Sequence, residues 1–383
     1  MNWPSKHDAQ FKALTKPLQA SSHAAFRHFY RSFYPLDFLK SLFFRGYGIR
    51  QIYMSRSPAL YAHRSFRASI VRMMSGCIET LALGLMLTSM AAPVAGAASV
   101  SADSVTVAHY VTRSENYRVA MVLPVQRDTP LPLILVQHGS SPTESFGTCP
   151  LFGSNKDCVR TDVFSKELVA QALQAGFAVA VIDAFSELGV SNRDKTQFPN
   201  ATHYALHLRK ILRGDARFDQ GRIYYTGFSY GGASVLNVIS QPTELFRAIA
   251  PVEAGCQIQP SGRRLPYPVL FVLGDRSHYP PKPCLHLEKA LQDAGSDARA
   301  VVLEGANHNF GIGASRSGPS RSLNGCTDNP VIVEGRTWRH LNGQPTTRED
   351  AMRTCTTFVG VSSQDSTLLP KAVEHVVSFF KEH

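Results

Sequence analysis

Four short apolar runs constrain this chain more than any other feature: LPLILVQHG (Leu131–Gly139), FAVAVIDAF (Phe177–Phe185), RIYYTGFS (Arg222–Ser229) and PVLFVLGD (Pro268–Asp275). A run that is apolar at successive positions is apolar on both faces of a strand, so neither face can meet water. Helical segments separate the runs: about Ser165 to Gly176, Ala201 to Arg213, Ala233 to Ser240 and Cys284 to Gly295, with the amphipathic Leu368–His383 closing the chain. RAIAPVEA (Arg247–Ala254) and ARAVVLEG (Ala298–Gly305) supply further strands. Strands alternating with helices predict one α/β domain, a mostly parallel sheet covered on both faces. YRVAMVLPV (Tyr117–Val125) alternates and predicts an edge strand. The stretch at about 312–357, rich in Ser, Gly, Thr and Arg, breaks the rhythm. A structureless loop that long is unusual in a compact domain, so it is expected to be an insertion, stapled by a disulfide and near the functional site.

The net charge of +11 suggests a polyanionic partner until its distribution is read. Residues 1–97 hold 12 Lys/Arg against 3 Asp/Glu, leaving 28 against 26 for the rest. The body of the protein is near neutral, which argues against a nucleic-acid partner, whose footprint is a basic face. Residues 1–72 form a basic leader, expected to be untranslated or disordered. Its Arg-bearing stretch from about Met54 would serve as the n-region of a signal, which leaves residues 1–53 as the product of too early a start codon. Residues 73–97 then read as a secretory signal, with Leu81–Met90 as its apolar centre and Ala95-Gly96-Ala97 as a small-residue cleavage site. The apolar run is shorter than the roughly 20 residues a membrane span needs, so stable insertion is not expected. A membrane anchor and an organelle transit peptide are the alternatives. Cleavage leaves residues 98–383 and six cysteines with no C-x-x-C spacing, which favours disulfides over a metal or redox site. Sequence proximity favours Cys149–Cys158, Cys256–Cys284 and Cys326–Cys355, with buried free thiols as the alternative. The protein is expected to be secreted or periplasmic.

Gly227-Phe228-Ser229-Tyr230-Gly231 matches G-x-S-x-G, between a predicted strand and a predicted helix. A serine there must adopt a sharp, strained turn that lifts its hydroxyl above the sheet, and the flanking glycines allow neighbouring backbone to approach. Ser229 is thus the candidate nucleophile. In the α/β-hydrolase order its base lies later in the chain, and His308 follows the strand ending at Gly305. His203 and His207 are four apart on a predicted helix, but no third metal ligand accompanies them; no metal or cofactor is expected. His138 precedes Gly139 at a strand end, where a backbone-shaping role is expected. Backbone N–H groups of Tyr230 and Ser140 are the candidate oxyanion hole.

In order along the chain, QHGSS, VIDAFSELGVSN, RIYYTGFSYGGAS, VEAGC, VLGDRSHYPPKPC and EGANHNFG resemble the dienelactone hydrolase family of α/β-hydrolases, specifically its secreted, serine-bearing branch. The resemblance covers about Val119 to Gly311 and the last helix. It implies an α/β-hydrolase fold, Ser229 as nucleophile, His308 as base and a small-molecule ester or lactone substrate. One position departs from the family pattern: Ser277 stands where a Gly-x-x-Asp turn would carry the acid. Asp275, on the same turn, is the first candidate acid and Glu253 the rival. If neither serves, a catalytically inactive binding protein is the alternative. A peptidase or acyltransferase would use the same triad.

Overall fold

The computed structural model describes residues 105–383, apart from 113–114, 126–129, 148, 150–155, 190–197, 242–244, 313–317, 323 and 362–366. The leader and signal expectations lie outside the described residues.

The central sheet has eight strands: β1 (Val105–Val111), β2 (Asn116–Val122), β6 (Ala178–Asp183), β3 (Leu131–Gln137), β7 (Phe218–Phe228), β8 (Ile249–Val252), β10 (Val269–Gly274) and β11 (Ala298–Leu303), in that spatial order. β2 runs antiparallel to both its neighbours, and every pairing from β6 to β11 is parallel. The sheet is α/β as expected, with one difference at its margin. β2 is not the edge: its side chains are buried from Tyr117 to Val122, and β1, which has no such burial, pairs outside it. The alternation read in β2 reflects two differently packed faces, not one face in water.

Those faces carry separate cores. Leu133 and Leu135 of β3 pack with Tyr204, Ala205 and Leu208 of α2 (Ala201–Ile211), Val235 of α3 (Tyr230–Leu236) and Leu287 of α4 (Lys282–Asp293). Ile134 and Val136, pointing the other way, pack with Phe164 and Leu168 of α1 (Val163–Gln174) and Val376 and Phe380 of α6 (Leu368–Glu382). Each such fully buried side chain contributes about 1.5–3 kcal/mol. Among the described residues no helix is long and apolar enough to cross a membrane.

The segment between His308 and α6 is not a structureless loop. β12 (Gly318–Ser322) pairs with β15 (Thr357–Val361), closing its base. Between them lie a hairpin, β13 (Val331–Glu334) with β14 (Thr337–His340), and the helix α5 (Arg348–Cys355). Thr347 caps α5 by accepting the Asp350 N–H, and Glu349 and Asp350 complement the first turn. β13 extends in parallel register along β9 (Ile258–Pro260), so the insertion is stitched to the body by main-chain hydrogen bonds. The Cys326–Cys355 disulfide joins the ends of this module, Cα to Cα 4.8 Å. Cys256–Cys284 and Cys149–Cys158 are also bonded, at 5.0 Å and 5.3 Å between Cα atoms. A small antiparallel ladder of β4 (Glu144–Phe146) and β5 (Val159–Thr161) accompanies the last.

Candidate active site

β7 ends at Phe228 and α3 starts at Tyr230, so Ser229 alone makes the turn. Its φ of 56° and ψ of −112° lie where side-chain-bearing residues are rarely found. Two hydrogen bonds hold it there: Ser229 N–H to Val252 O (3.0 Å) and Ala233 N–H to Ser229 O (2.8 Å). The glycines make the turn possible. A Cβ on Gly227 would come within 2.7 Å of the Gln137 carbonyl oxygen, and one on Gly231 would run into the same oxygen.

His308 follows β11, on a one-turn 3₁₀ helix capped by the Asn307 side chain, which accepts the Asn309 N–H at 2.9 Å. Ser229 Oγ lies 2.9 Å from His308 Nε2, and Glu253 Oε2 lies 3.0 Å from His308 Nδ1. A carboxylate only accepts, so Nδ1 carries the ring proton and Nε2 accepts from the serine hydroxyl. Rings surround the imidazole: His278 at 4.3 Å, Phe228 at 4.9 Å and Tyr279 at 5.2 Å between centroids.

The carboxylate facing His308 is that of Glu253, the residue after β8, and not that of Asp275. The turn after β10 explains the correction. Its backbone is held by Asp275 N–H to Leu303 O (3.2 Å) and Arg276 N–H to Ala306 O (2.9 Å), which leaves Asp275 exposed. Ser277 is the residue that points inward. Its hydroxyl donates to Glu253 Oε2 at 2.5 Å, and Gly274 N–H donates to Glu253 Oε1 at 2.5 Å. Glu253 also has a positive φ, 51°; among the described residues it shares that property with no side-chain-bearing residue except Ser229. Full burial pushes its carboxyl up to about 7, against the lowering effect of the Ser277 and Gly274 hydrogen bonds. Sequence reasoning did not find Ser277's role as donor to the acid; the only signal was its place where an acid is expected.

On the far side of Ser229, β3 leads into His138-Gly139-Ser140. His138 is fully buried, its Nδ1 2.6 Å from the Gly139 carbonyl, which agrees with the backbone-shaping role expected of it. The Gly139 N–H donates to Asp162, a buried residue that also caps α1. Asp162 was missed, although an Asp immediately before a helix is a readable cap signal. Tyr230 N opens α3, and its ring packs among His138, Phe185 and Phe198. The structure does not bring His203 and His207 to this site; His207 Nδ1 is 2.9 Å from the Tyr117 hydroxyl.

A serine on a strained strand-to-helix turn, at the end of a strand in this sheet order, defines the α/β-hydrolase fold. No family model matches the chain. It is similar to "Putative esterase NocK" of Nocardia uniformis subsp. tsuyamanensis, 29% identical over 191 residues, 45% of this chain and 49% of that protein. The chain therefore spans about half the length of that curated relative. Among solved structures it is similar to a "Putative Dienelactone Hydrolase" of Klebsiella pneumoniae, at 16% identity and a TM-score of 0.41, covering 54% of this chain and 88% of that one. It is likewise similar to the acylaminoacyl peptidase of Pyrococcus horikoshii, at 13% identity and a TM-score of 0.40, covering 54% of this chain and 38% of that one.

Proposed function

We propose that the protein is a serine hydrolase that cleaves a small-molecule carboxylic ester or lactone through an acyl-enzyme on Ser229. The observation that carries the reading is the continuous hydrogen-bonded chain from Ser229 Oγ through His308 to the buried Glu253. As Oγ attacks the carbonyl carbon, its proton passes to His308 Nε2 and the carbonyl π electrons move onto oxygen. N–H groups of Ser140 and Tyr230 stabilise that oxyanion. When the tetrahedral intermediate collapses, the bond to the leaving alkoxide breaks and His308 returns the proton to it. Water repeats the sequence and frees the acid. Glu253 keeps Nδ1 protonated and stabilises the imidazolium.

The inactive-binder alternative, motivated by the lost Gly-x-x-Asp turn and by the long insertion after His308, is weakened on its first ground by the Glu253 carboxylate facing His308. Three disulfides suit an oxidising compartment, so we place the protein outside the cytoplasm, with maturation before Ala98. The test is fluorophosphonate labelling of the oxidised chain, with the modified peptide located by mass spectrometry. Labelling at Ser229, lost in Ser229→Ala along with turnover of p-nitrophenyl acetate, is the expected result. A folded protein that neither labels nor turns over esters would sink the reading.

A further inference from the structure

The Gly139–Ser140 loop is held by two buried side chains that the acyl-transfer steps do not use. Asp162 is 2% exposed, and its two carboxylate oxygens are divided between tasks. Oδ1 accepts the Ser165 N–H at 2.8 Å, capping α1, while Oδ2 accepts the Gly139 N–H. Capping alone could be done by Ser, Thr or Asn. Burial pushes this carboxyl above the usual carboxylate range. The second bond, to Gly139, gives that burial a purpose.

His138 grips the other side. Its Nδ1 is 2.6 Å from the Gly139 carbonyl oxygen, which only accepts, and its Nε2 is 3.2 Å from the Ala184 N–H, which only donates. The carbonyl partner requires a hydrogen on Nδ1, while the buried Asp183 Oδ1 lies 3.9 Å from Nε2. The gripped carbonyl belongs to the same peptide unit as the Ser140 N–H. In a planar trans peptide the N–H points opposite to the C=O. A bond that fixes the direction of the Gly139 carbonyl therefore fixes the direction of the Ser140 N–H.

We propose that His138 and Asp162 form a clamp on Gly139 that presets the Ser140 N–H as an oxyanion donor, so that both are positioning residues for the reaction. The inference rests on the acyl-enzyme reading and deepens it. A preset donor needs no reorganisation when charge develops on the carbonyl oxygen, which is the source of its effect on rate.

The test compares p-nitrophenyl acetate with its thiono analogue, whose sulfur accepts hydrogen bonds poorly. His138→Phe is expected to lower kcat about 10²-fold, with KM little changed, and to erase much of the preference for the oxygen ester. His138→Asn keeps a donor where Nδ1 stood and is expected to recover most of both. A folded His138→Phe protein with wild-type kcat and preference would overturn the clamp. Should that variant not fold, ¹⁵N NMR of the wild-type imidazoles decides. A hydrogen on Nδ1 supports the clamp, and a His138 protonated at Nε2 alone in an active wild type overturns only the clamp. A wild type silent towards both esters and fluorophosphonate overturns the acyl-enzyme reading and, with it, the clamp's purpose.

Discussion

Glu253 is the residue at which function and stability pull apart. A carboxyl with an ordinary value near 4.5 that is raised to about 7 in the folded state makes folding take up a proton. Stability from this group is fully present below about pH 4.5 and is lost as pH rises through 7. The loss is on the order of 3 kcal/mol at pH 8, since a tenfold change in proton affinity is worth about 1.4 kcal/mol. Glu253→Gln is therefore expected to flatten the fall in unfolding free energy between pH 4.5 and 7.5, read by urea denaturation. It is also expected to lower kcat by about 10⁴-fold, because an amide no longer holds the right imidazole tautomer. Parallel stability curves for the two proteins would count against this account of the buried acid. In the wild type, kcat/KM should fall as pH drops below about 7, where Glu253 takes up its proton.

At the scale of elements, the strand–turn–helix β7–Ser229–α3 depends on backbone meeting backbone. The atoms a Cβ on Gly227 would strike belong to Gln137 and Gly231 main chain, which cannot swing aside as a side chain can. Gly227→Ala is expected to cost about 1–3 kcal/mol by overpacking and to lower the rate of fluorophosphonate labelling by displacing Ser229. Unchanged melting and labelling would show that the turn can relax. The β8 end behaves similarly. Glu253 departs from it with positive φ, and Cys256, three residues on, is tied to Cys284 in α4. The chain that follows Glu253 is thus pinned twice in quick succession, first by the disulfide at Cys256 and then by the β9–β13 pairing.

At the scale of the whole molecule, the two disulfides with long separations should differ in their effects. Each closes a loop of comparable length, 28 residues for Cys256–Cys284 and 29 for Cys326–Cys355. Removing either pair by Cys→Ser substitution is expected to cost about 2–4 kcal/mol. Loss of Cys256–Cys284 should also lower kcat, because it loosens the segment that carries Glu253. Loss of Cys326–Cys355 should lower kcat less, because the insertion holds none of Ser229, His308 and Glu253 and reaches the Glu253 segment through the β9–β13 pairing, which that disulfide does not close. Thermal denaturation with active-site titration would check this, and equal effects on kcat would contradict it.

The sequence by itself determined the parallel sheet, the turn at Ser229 and the neighbourhood of His308, because each leaves a local pattern: two-faced apolar runs, glycines at fixed offsets, a histidine just beyond a strand. Only the tertiary structure decided which carboxylate faces the imidazole. Asp275 and Glu253 follow neighbouring strands, β10 and β8, and both stand at the right end of the sheet. The turn after β10 donates its Asp275 and Arg276 N–H groups to β11 and the turn after it, distant in sequence, which leaves Asp275 outward and Ser277 inward, where Ser277 and Gly274 hold Glu253. The clamp on Gly139 was hidden for the same reason. Its members, His138 and Asp162, and the Ala184 N–H that faces His138 come from three separate elements, and no periodicity links groups that meet only across the fold.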